Sequence, residues 1–193
     1  MKIFLRRHAP TPGNLLGNYV GATDEALGPE GVELAHKTGQ DSSVAVVHTS
    51  GLQRTIQTAA ILYPQARLIH HTDLNEMNFG VFEGKNWRGM AEDAGYAAWV
   101  ASQCRLPCPG GEGRDGFSAR CCRAFTGIVA DAREKGLESL HFVVHGGTIQ
   151  AILHGFVVPQ RGYFDRRVGY CELFAVEPAQ LEGKYMFADN PVV

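Results

Sequence analysis

The chain has 193 residues, 45% of them hydrophobic, and a formal net charge of −2 at pH 7. Such a length and composition are typical of one globular domain with a proper core. No basic block or Lys/Arg-rich amphipathic helix is present, which argues against binding to nucleic acid or to an anionic membrane surface. No apolar segment approaches the roughly 18 residues of a membrane span, and no signal-peptide segment precedes the first predicted strand. We therefore expect a cytoplasmic protein.

The first predicted element is a strand that ends in charge. Ile3, Phe4 and Leu5 form a short apolar run, and Arg7 and His8 follow it directly. In an open α/β sheet, ligands bind beyond the carboxyl ends of the strands. An arginine fork suits a phosphate or carboxylate, and a neutral histidine beside it serves as a base, a ligand or a nucleophile. A solvent-exposed strand end is the alternative, so the pair needs partners from elsewhere in the chain.

A loop rich in proline and glycine follows over residues 9–27, with one helical turn near residues 14–16. Thr11 and Asn14 lie within reach of the strand end, where they either donate to an anion or stabilise turns. Pro29 is typical of a first helical turn, and a crossover helix is predicted from there to about Gly39.

A second buried strand is predicted over residues 44–47, and a helix begins near Leu52. Arg54 lies in the first turn of that helix, where a cation opposes the helix dipole. Its position is better explained if an anion occupies the same space, because helix N-termini and arginine both favour anions. A shorter strand over residues 66–69 is predicted nearer an edge of the sheet.

Residues 74–84 form a loop of apolar and acidic residues. Apolar neighbours favour the protonated form of a carboxyl group, so Glu76 is a candidate acid, with Glu83 competing for the role and an exposed loop position as the alternative. Residues 87–102 are predicted to be helical with a break at Gly95. Their aromatic side chains more often pack in a core than line a ligand site.

The five cysteines form an odd set, so a disulfide framework is not expected. The spacing of Cys104 and Cys108, followed by Cys121 and Cys122, could indicate zinc. Adjacent residues of a helix point in different directions, however, and no histidine lies among the four. Small buried hydrophobic thiols are the favoured interpretation, and no metal site is expected.

The second half of the chain contains another buried strand that ends in a histidine. A long amphipathic helix is predicted over residues 115–135, then a buried strand over residues 140–144 that ends in His145. Gly146 opens the next helix and leaves its first amides free to hold an anion. Residues 169–176 and 181–187 are predicted as antiparallel strands at one edge. The predicted fold class is α/β: a three-layer sandwich with a mostly parallel central sheet, helices on both faces and an antiparallel edge strand.

Arg7, His8, Arg54 and His145 would form a cationic pocket in a net acidic protein, and a phosphate group is its natural partner. Phosphoryl transfer to imidazole needs an in-line nucleophile, donors to the equatorial oxygens and an acid for the leaving oxygen. His8 can attack, the other three can stabilise charge, and Glu76 can protonate the leaving oxygen and then activate water.

Four segments, in this order along the chain, resemble the motifs of the histidine phosphatase superfamily, which has the phosphoglycerate-mutase-like fold. They are Leu5-Arg6-Arg7-His8-Ala9, Arg54-Thr55-Ile56-Gln57-Thr58-Ala59, Leu74-Asn75-Glu76 with residues 79–84, and Val144-His145-Gly146-Gly147. The resemblance implies that His8 is the phosphorylated nucleophile and Glu76 the proton donor. It implies phosphate binding by Arg7, Arg54 and His145, with lesser contributions from Asn14, Gly21 and Gly146, and no metal or other cofactor. By analogy with the family, a helical cap inserted at about residues 77–113 of a single 1–193 domain covers the pocket, using Trp87, Arg88, Tyr96 and Trp99.

Within the family, residues 74–80, 111–113 and 117–120 are most similar to α-ribazole phosphatases of cobalamin assembly, although broad-specificity phosphatases share these loop motifs. An aromatic cap would suit a small, base-bearing phosphate ester. A phosphoglycerate mutase and a phospho-ligand binding module without turnover remain alternatives, and the oligomeric state is open, a homodimer included. Ala9, Pro10 and Gln150 stand where the family commonly has Gly, an acidic residue and Arg. Strand alternation turns Arg6 away from the site.

Overall fold

The computed structural model describes residues 1–188. It contains six strands, β1 Lys2–Arg7, β2 Val46–Thr49, β3 Arg67–His70, β4 Ser139–Val144, β5 Leu173–Pro178 and β6 Tyr185–Phe187. Six α-helices accompany them, α1 Pro12–Leu15, α2 Pro29–Thr38, α3 Gln53–Leu62, α4 Ala94–Ala101, α5 Arg114–Glu134 and α6 Gly146–Phe156. No helix within residues 1–188 is long and apolar enough to cross a membrane.

The strands form one sheet in the order β3-β2-β4-β1-β5-β6. The pairs β3–β2, β2–β4 and β4–β1 are parallel, whereas β5 is antiparallel to both β1 and β6. The predicted mostly parallel sheet is therefore confirmed, with two antiparallel strands on one side. β2 begins two residues later than predicted, and β5 and β6 begin at Leu173 and Tyr185 rather than at residues 169 and 181.

Strand β4 buries side chains on both of its faces, as its apolar sequence predicts. In β4, Leu140, Phe142 and Val144 pack in one cluster with side chains of α5 and α6. Val143 points to the opposite face, where it packs in a cluster with side chains of α3. This alternation of period two gives the three layers of the sandwich.

The segment between β3 and α5 contains 3₁₀ turns at Gly80–Phe82 and Trp87–Met90 in addition to α4. The predicted break at Gly95 is wrong, because the helical stretch is interrupted at residues 91–93 and Gly95 lies inside α4. Its buried apolar side chains form a separate cluster with Phe117 and Cys121 of α5 and Ala151 of α6. The predicted cap residues 77–113 therefore pack against the α5 and α6 layer rather than on the sheet itself.

Candidate active site

Neighbouring parallel strands bring the two motif histidines together. His8 follows β1 and His145 follows β4, and β1 and β4 pair along their whole length up to Arg7 and Val144. The two imidazole rings lie edge to face with centroids 5.1 Å apart. Both histidines are buried, at the carboxyl edge of the sheet where ligands bind in open α/β folds.

The ring of His8 is held in one tautomer by its own neighbour. Nδ1 lies 2.6 Å from the carbonyl oxygen of Ala9, and a carbonyl can only accept, so Nδ1 carries the proton. The lone pair of the neutral ring is then on Nε2. Burial, followed by the charges of Arg54 and Arg7, holds the pKa of His8 well below its ordinary value. His8 is therefore neutral and has a nucleophilic Nε2.

Ala9 stands where the family commonly has Gly, and the structure shows no strain there. Its φ is not in the left-handed region, and its amide donates to Thr58 Oγ1 at 2.9 Å. The residue is fully buried. An ordinary L-residue is therefore compatible with the backbone that orients His8.

His145 has both ring nitrogens bonded to protein groups. Arg54 Nε donates to Nδ1 at 3.2 Å, so Nε2 carries the proton and donates to Ser50 Oγ at 2.8 Å. Ser50 in turn donates to Thr55 Oγ1, which donates to the carbonyl of Leu52. Burial first, and then Arg54, lowers the pKa of His145 well below its ordinary value. Both ring nitrogens are thus occupied, and the predicted direct contact of His145 with a phosphate oxygen would require one of these two hydrogen bonds to break.

Arg54 and Arg7 provide positive charge without an ion-pair partner within residues 1–188. Arg54 is fully buried and donates to the carbonyl oxygens of Thr23 and Gly21 at 2.8 and 2.7 Å. Arg7 donates to the carbonyl of Val168 at 2.6 Å, and its guanidinium lies 3.8 Å from the centre of the Tyr170 ring. Its Nε is buried with no hydrogen-bond partner in the described part of the chain. These donors are suited to an anionic ligand.

Glu76 is placed by the first turn of α6. Its Oε2 accepts from the amide of Gly147 at 3.0 Å, and its Oε1 accepts from the amide of Met77 at 3.0 Å. A methyl group at Gly147 would overlap Oε1, so any larger residue there would displace the carboxyl group of Glu76. Glu83 does not compete for the acid role, because it accepts five hydrogen bonds from Gly21, Ala22, Thr23 and Phe79. Burial alone would raise the pKa of Glu83, but these hydrogen bonds outweigh it and lower that pKa.

The loop that carries Glu76 is tied down by Arg120. The guanidinium donates to both carboxylate oxygens of Glu112 at 2.8 and 2.7 Å, and also to the carbonyls of Asp73, Asn75 and Glu76. Glu112 also accepts from the amide of Asn78 at 2.9 Å. The segments 111–113 and 117–120 are therefore a brace for the acid loop.

Two cavities meet at Glu76, with Tyr19 and Phe79 also lining both. The basic cavity is further lined by residues that include Arg7, Asn14, Trp87 and Tyr170. The aromatic cavity is further lined by Met77, Trp99, Cys104, Arg114, Phe117, Gly147, Gln150, Tyr163 and Phe164. Its volume is about 220 Å³, below the roughly 300–1,000 Å³ typical of sites for drug-sized ligands, so it suits a small group.

The four predicted cap residues lie in different surroundings. Trp87, which is 48% exposed, lines the basic cavity. Trp99 lines the aromatic cavity and also packs in the cluster that the cap forms with α5 and α6. Tyr96 packs inside the cap with its hydroxyl 2.8 Å from that of Tyr19. Arg88 is exposed and lies over the Trp87 ring. Tyr96 and Arg88 thus contact other side chains of the cap.

Three predicted phosphate-binding residues also have structural partners. Asn14 lines the basic cavity and completes a capping box with Thr11. The amide of Gly21 already donates to the Glu83 carboxylate, and a side chain at Gly21 would overlap the Met77 carbonyl. Close packing therefore explains the glycine at position 21. At Gly146, a methyl group would lie 3.3 Å from the Arg7 guanidinium. Both glycines therefore make room for site residues.

Sequence reasoning did not identify Ser50, Thr55, Gly147 or Tyr170 as site residues. Gly147 had a usable signal, since it stands beside Gly146 at the same helix start, whereas Tyr170 lies in a segment without a pattern. Arg6 lies away from the site, bonded to Tyr63 and to the Cys171 carbonyl. Within residues 1–188, no cluster of three or more His, Cys, Asp or Glu residues could hold a metal ion.

Comparison with known proteins points to one family. The family model described as histidine phosphatase superfamily (branch 1) matches residues 3–186. An adenosylcobalamin/alpha-ribazole phosphatase of Escherichia coli is 34% identical over 79% of this chain and 77% of its own length. A broad-specificity phosphatase of Saccharomyces cerevisiae is 29% identical over 79% and 69%. The crystal structure of the alpha-ribazole phosphatase from Shigella flexneri superposes with a TM-score of 0.81 at 25% identity, covering 97% of this chain and 95% of that one.

Proposed function

Because the chain belongs to the histidine phosphatase superfamily and is a phosphatase, we propose that it hydrolyses small phosphate monoesters through a phosphohistidine formed on His8. The observation that supports this best is the fixed tautomer of His8, whose Nε2 lone pair is free beside two arginines without carboxylate partners among residues 1–188. A protonated ring in this place could not attack phosphorus.

In the first step, Nε2 of His8 attacks the phosphorus, and the bond from phosphorus to the ester oxygen breaks. The carboxyl group of Glu76 donates its proton to that departing oxygen. Arg7 and Arg54 stabilise the charge on the non-bridging oxygens, while His145 orients Arg54. In the second step, the oxygen of a water molecule attacks phosphorus while the Glu76 carboxylate accepts a proton from that water. The P–N bond breaks, orthophosphate leaves, and His8 is neutral again.

The aromatic cavity beside Glu76 supports an aromatic, base-bearing leaving group, since the ester oxygen must lie near the acid that protonates it. Alpha-ribazole phosphate is the first candidate, and similarity to proteins named for that substrate supports it. The phosphate would then lie on the basic side of Glu76 and the base on the aromatic side.

The test begins with trapping. Purified protein is incubated with a ³²P-labelled monoester, quenched and mapped, and we expect acid-labile label on the peptide that contains His8. His8→Gln should abolish labelling and turnover, and His36→Gln, at an exposed histidine of α2, should change neither. A fully active His8→Gln protein would refute the proposal.

A turnover panel then distinguishes the substrates and the alternative functions. It contains alpha-ribazole phosphate, phosphoglycerates and sugar phosphates. Phosphate release is expected, fastest from the base-bearing ester. Fast isomerisation of phosphoglycerate without phosphate release would identify a mutase, and orthophosphate binding without any hydrolysis would identify a binding module.

A further inference from the structure

Arg114 is a buried cation in the wall of the aromatic cavity, at the start of α5. Its side chain is only 8% exposed, and its guanidinium carbon lies 4.9 Å from the centre of the Tyr163 ring. Its one ion pair joins Nε to Oδ1 of Asp115 at 3.5 Å, and the Asp115 side chain is 71% exposed. That contact is long and solvent-exposed, so Asp115 compensates the charge of Arg114 only weakly.

Two donor side chains that line the aromatic cavity make no hydrogen bond to the described part of the protein. Within residues 1–188, the terminal nitrogens of Arg114 donate to no protein acceptor and reach solvent, whereas the indole N–H of Trp99, whose side chain lines the same cavity, is buried without a partner. A guanidinium in an apolar cavity is costly unless an acceptor meets its fork. A small anionic group that enters this cavity can therefore supply the acceptor that the Arg114 fork lacks on the protein.

We propose that Arg114 selects substrates whose leaving group carries a second anionic group, a carboxylate or a further phosphoryl group, on an apolar or aromatic body. This inference rests on the proposed function and narrows it by naming the leaving group. Glu76 and Arg114 line the same cavity, so the ester oxygen meets the acid and the distal anion meets the fork. The aromatic side chains Phe117, Tyr163 and Phe164 contact the body between them.

The test compares 4-carboxyphenyl phosphate with 4-carbamoylphenyl phosphate, which has nearly the same shape but no second charge. A charge-assisted hydrogen bond contributes about 1.5–3 kcal/mol, so we expect the wild-type protein to prefer the carboxylate by about 10- to 100-fold in kcat/KM. Arg114→Met should bring the ratio close to 1, and Arg114→Lys, which keeps charge but loses the fork, should retain part of it. Arg105→Met, at an exposed arginine of the cap, should keep the wild-type ratio.

The ratio separates this role from a structural one. If Arg114 only packs against Tyr163, its replacement changes both rates together and the ratio stays. A wild-type ratio near 1, or a preference that survives in folded Arg114→Met, overturns the inference; where the methionine variant does not fold, Arg114→Gln decides. Turnover of both esters without preference leaves the phosphatase function intact, whereas no phosphate release from either ester counts against that function itself. Phenyl 1,4-bisphosphate in place of the carboxylate shows which anion is preferred.

Discussion

Gly147→Ala should disable the general acid while leaving the nucleophile in place. A methyl group at this position would overlap Oε1 of Glu76 and lie 3.2 Å from its carboxyl carbon. Restoring van der Waals separation moves the carboxyl group by roughly 1 Å. A displacement of that size in a reacting group costs about 100-fold in rate, or about 2.7 kcal/mol of activation free energy. The helix itself tolerates alanine, since Gly147 lies in α6 without a positive φ.

The assay uses two esters that differ in their need for an acid. Phenolate is a poor leaving group that needs protonation, whereas 2,4-dinitrophenolate departs without it. We expect Gly147→Ala to slow phenyl phosphate about 100-fold and 2,4-dinitrophenyl phosphate by far less. Gly127→Ala is the control, because a methyl group there meets no atom within 4 Å. Equal slowing of both esters, or no slowing at all, would refute the placement of Glu76 by Gly147.

Three further predictions concern pH and the acid loop. The folded-state pKa values of His8 and His145 lie below the unfolded value near 6.5, so the unfolded chain binds more protons and stability falls as the pH drops below about 6.5. His8→Gln should reduce the slope of unfolding free energy against pH by up to about 1.4 kcal/mol per pH unit between pH 6.5 and 5.5 in urea titrations; an unchanged slope would contradict a buried neutral ring. The same low pKa keeps His8 unprotonated in mild acid, so kcat/KM for phenyl phosphate should hold its neutral-pH value down to about pH 5.5 instead of falling below pH 6.5 as it would for an ordinary imidazole nucleophile. A steep fall in kcat/KM from pH 6.5 downward would disprove this assignment. Arg120→Lys loses the two-point hydrogen bonding to Glu112, so it should lower the free energy of unfolding by about 2 kcal/mol and kcat by about 10-fold. Arg123→Lys, at an exposed position of the same helix, should change neither quantity. Matching effects in the two variants would argue against the brace.

The elements that the sequence predicts well are those whose signal is local. Residues 3–5 form an unbroken apolar run and residues 140–144 are apolar apart from His141, because β1 and β4 lie inside the sheet, and each strand is followed by a histidine of the site. β2 is offset because side-chain burial and backbone pairing do not coincide: Val44 is buried in the core but lies outside the strand, which begins at Val46. Apolar runs therefore locate strands better than they bound them.

The contacts that orient the site are not local, and this is why the sequence did not reveal them. Ser50 is 95 residues from His145, and Glu76 is 71 residues from Gly147. A serine after a strand satisfies ordinary turn preferences, and the paired glycines at the helix start indicate an open N-terminus without indicating which side chain it meets. Their roles exist only once the sheet order places β4 between β1 and β2.

The two histidines illustrate this limit, because the sequence alone does not distinguish their roles. Each follows a buried parallel strand, each has a lowered pKa, and their rings are neighbours. What separates them is the direction of two hydrogen bonds. The Ala9 carbonyl can only accept, which leaves Nε2 of His8 free to attack, whereas Arg54 can only donate, which occupies the Nδ1 lone pair of His145. We therefore propose the first imidazole as the nucleophile and the second as a support for the cation that the phosphate meets.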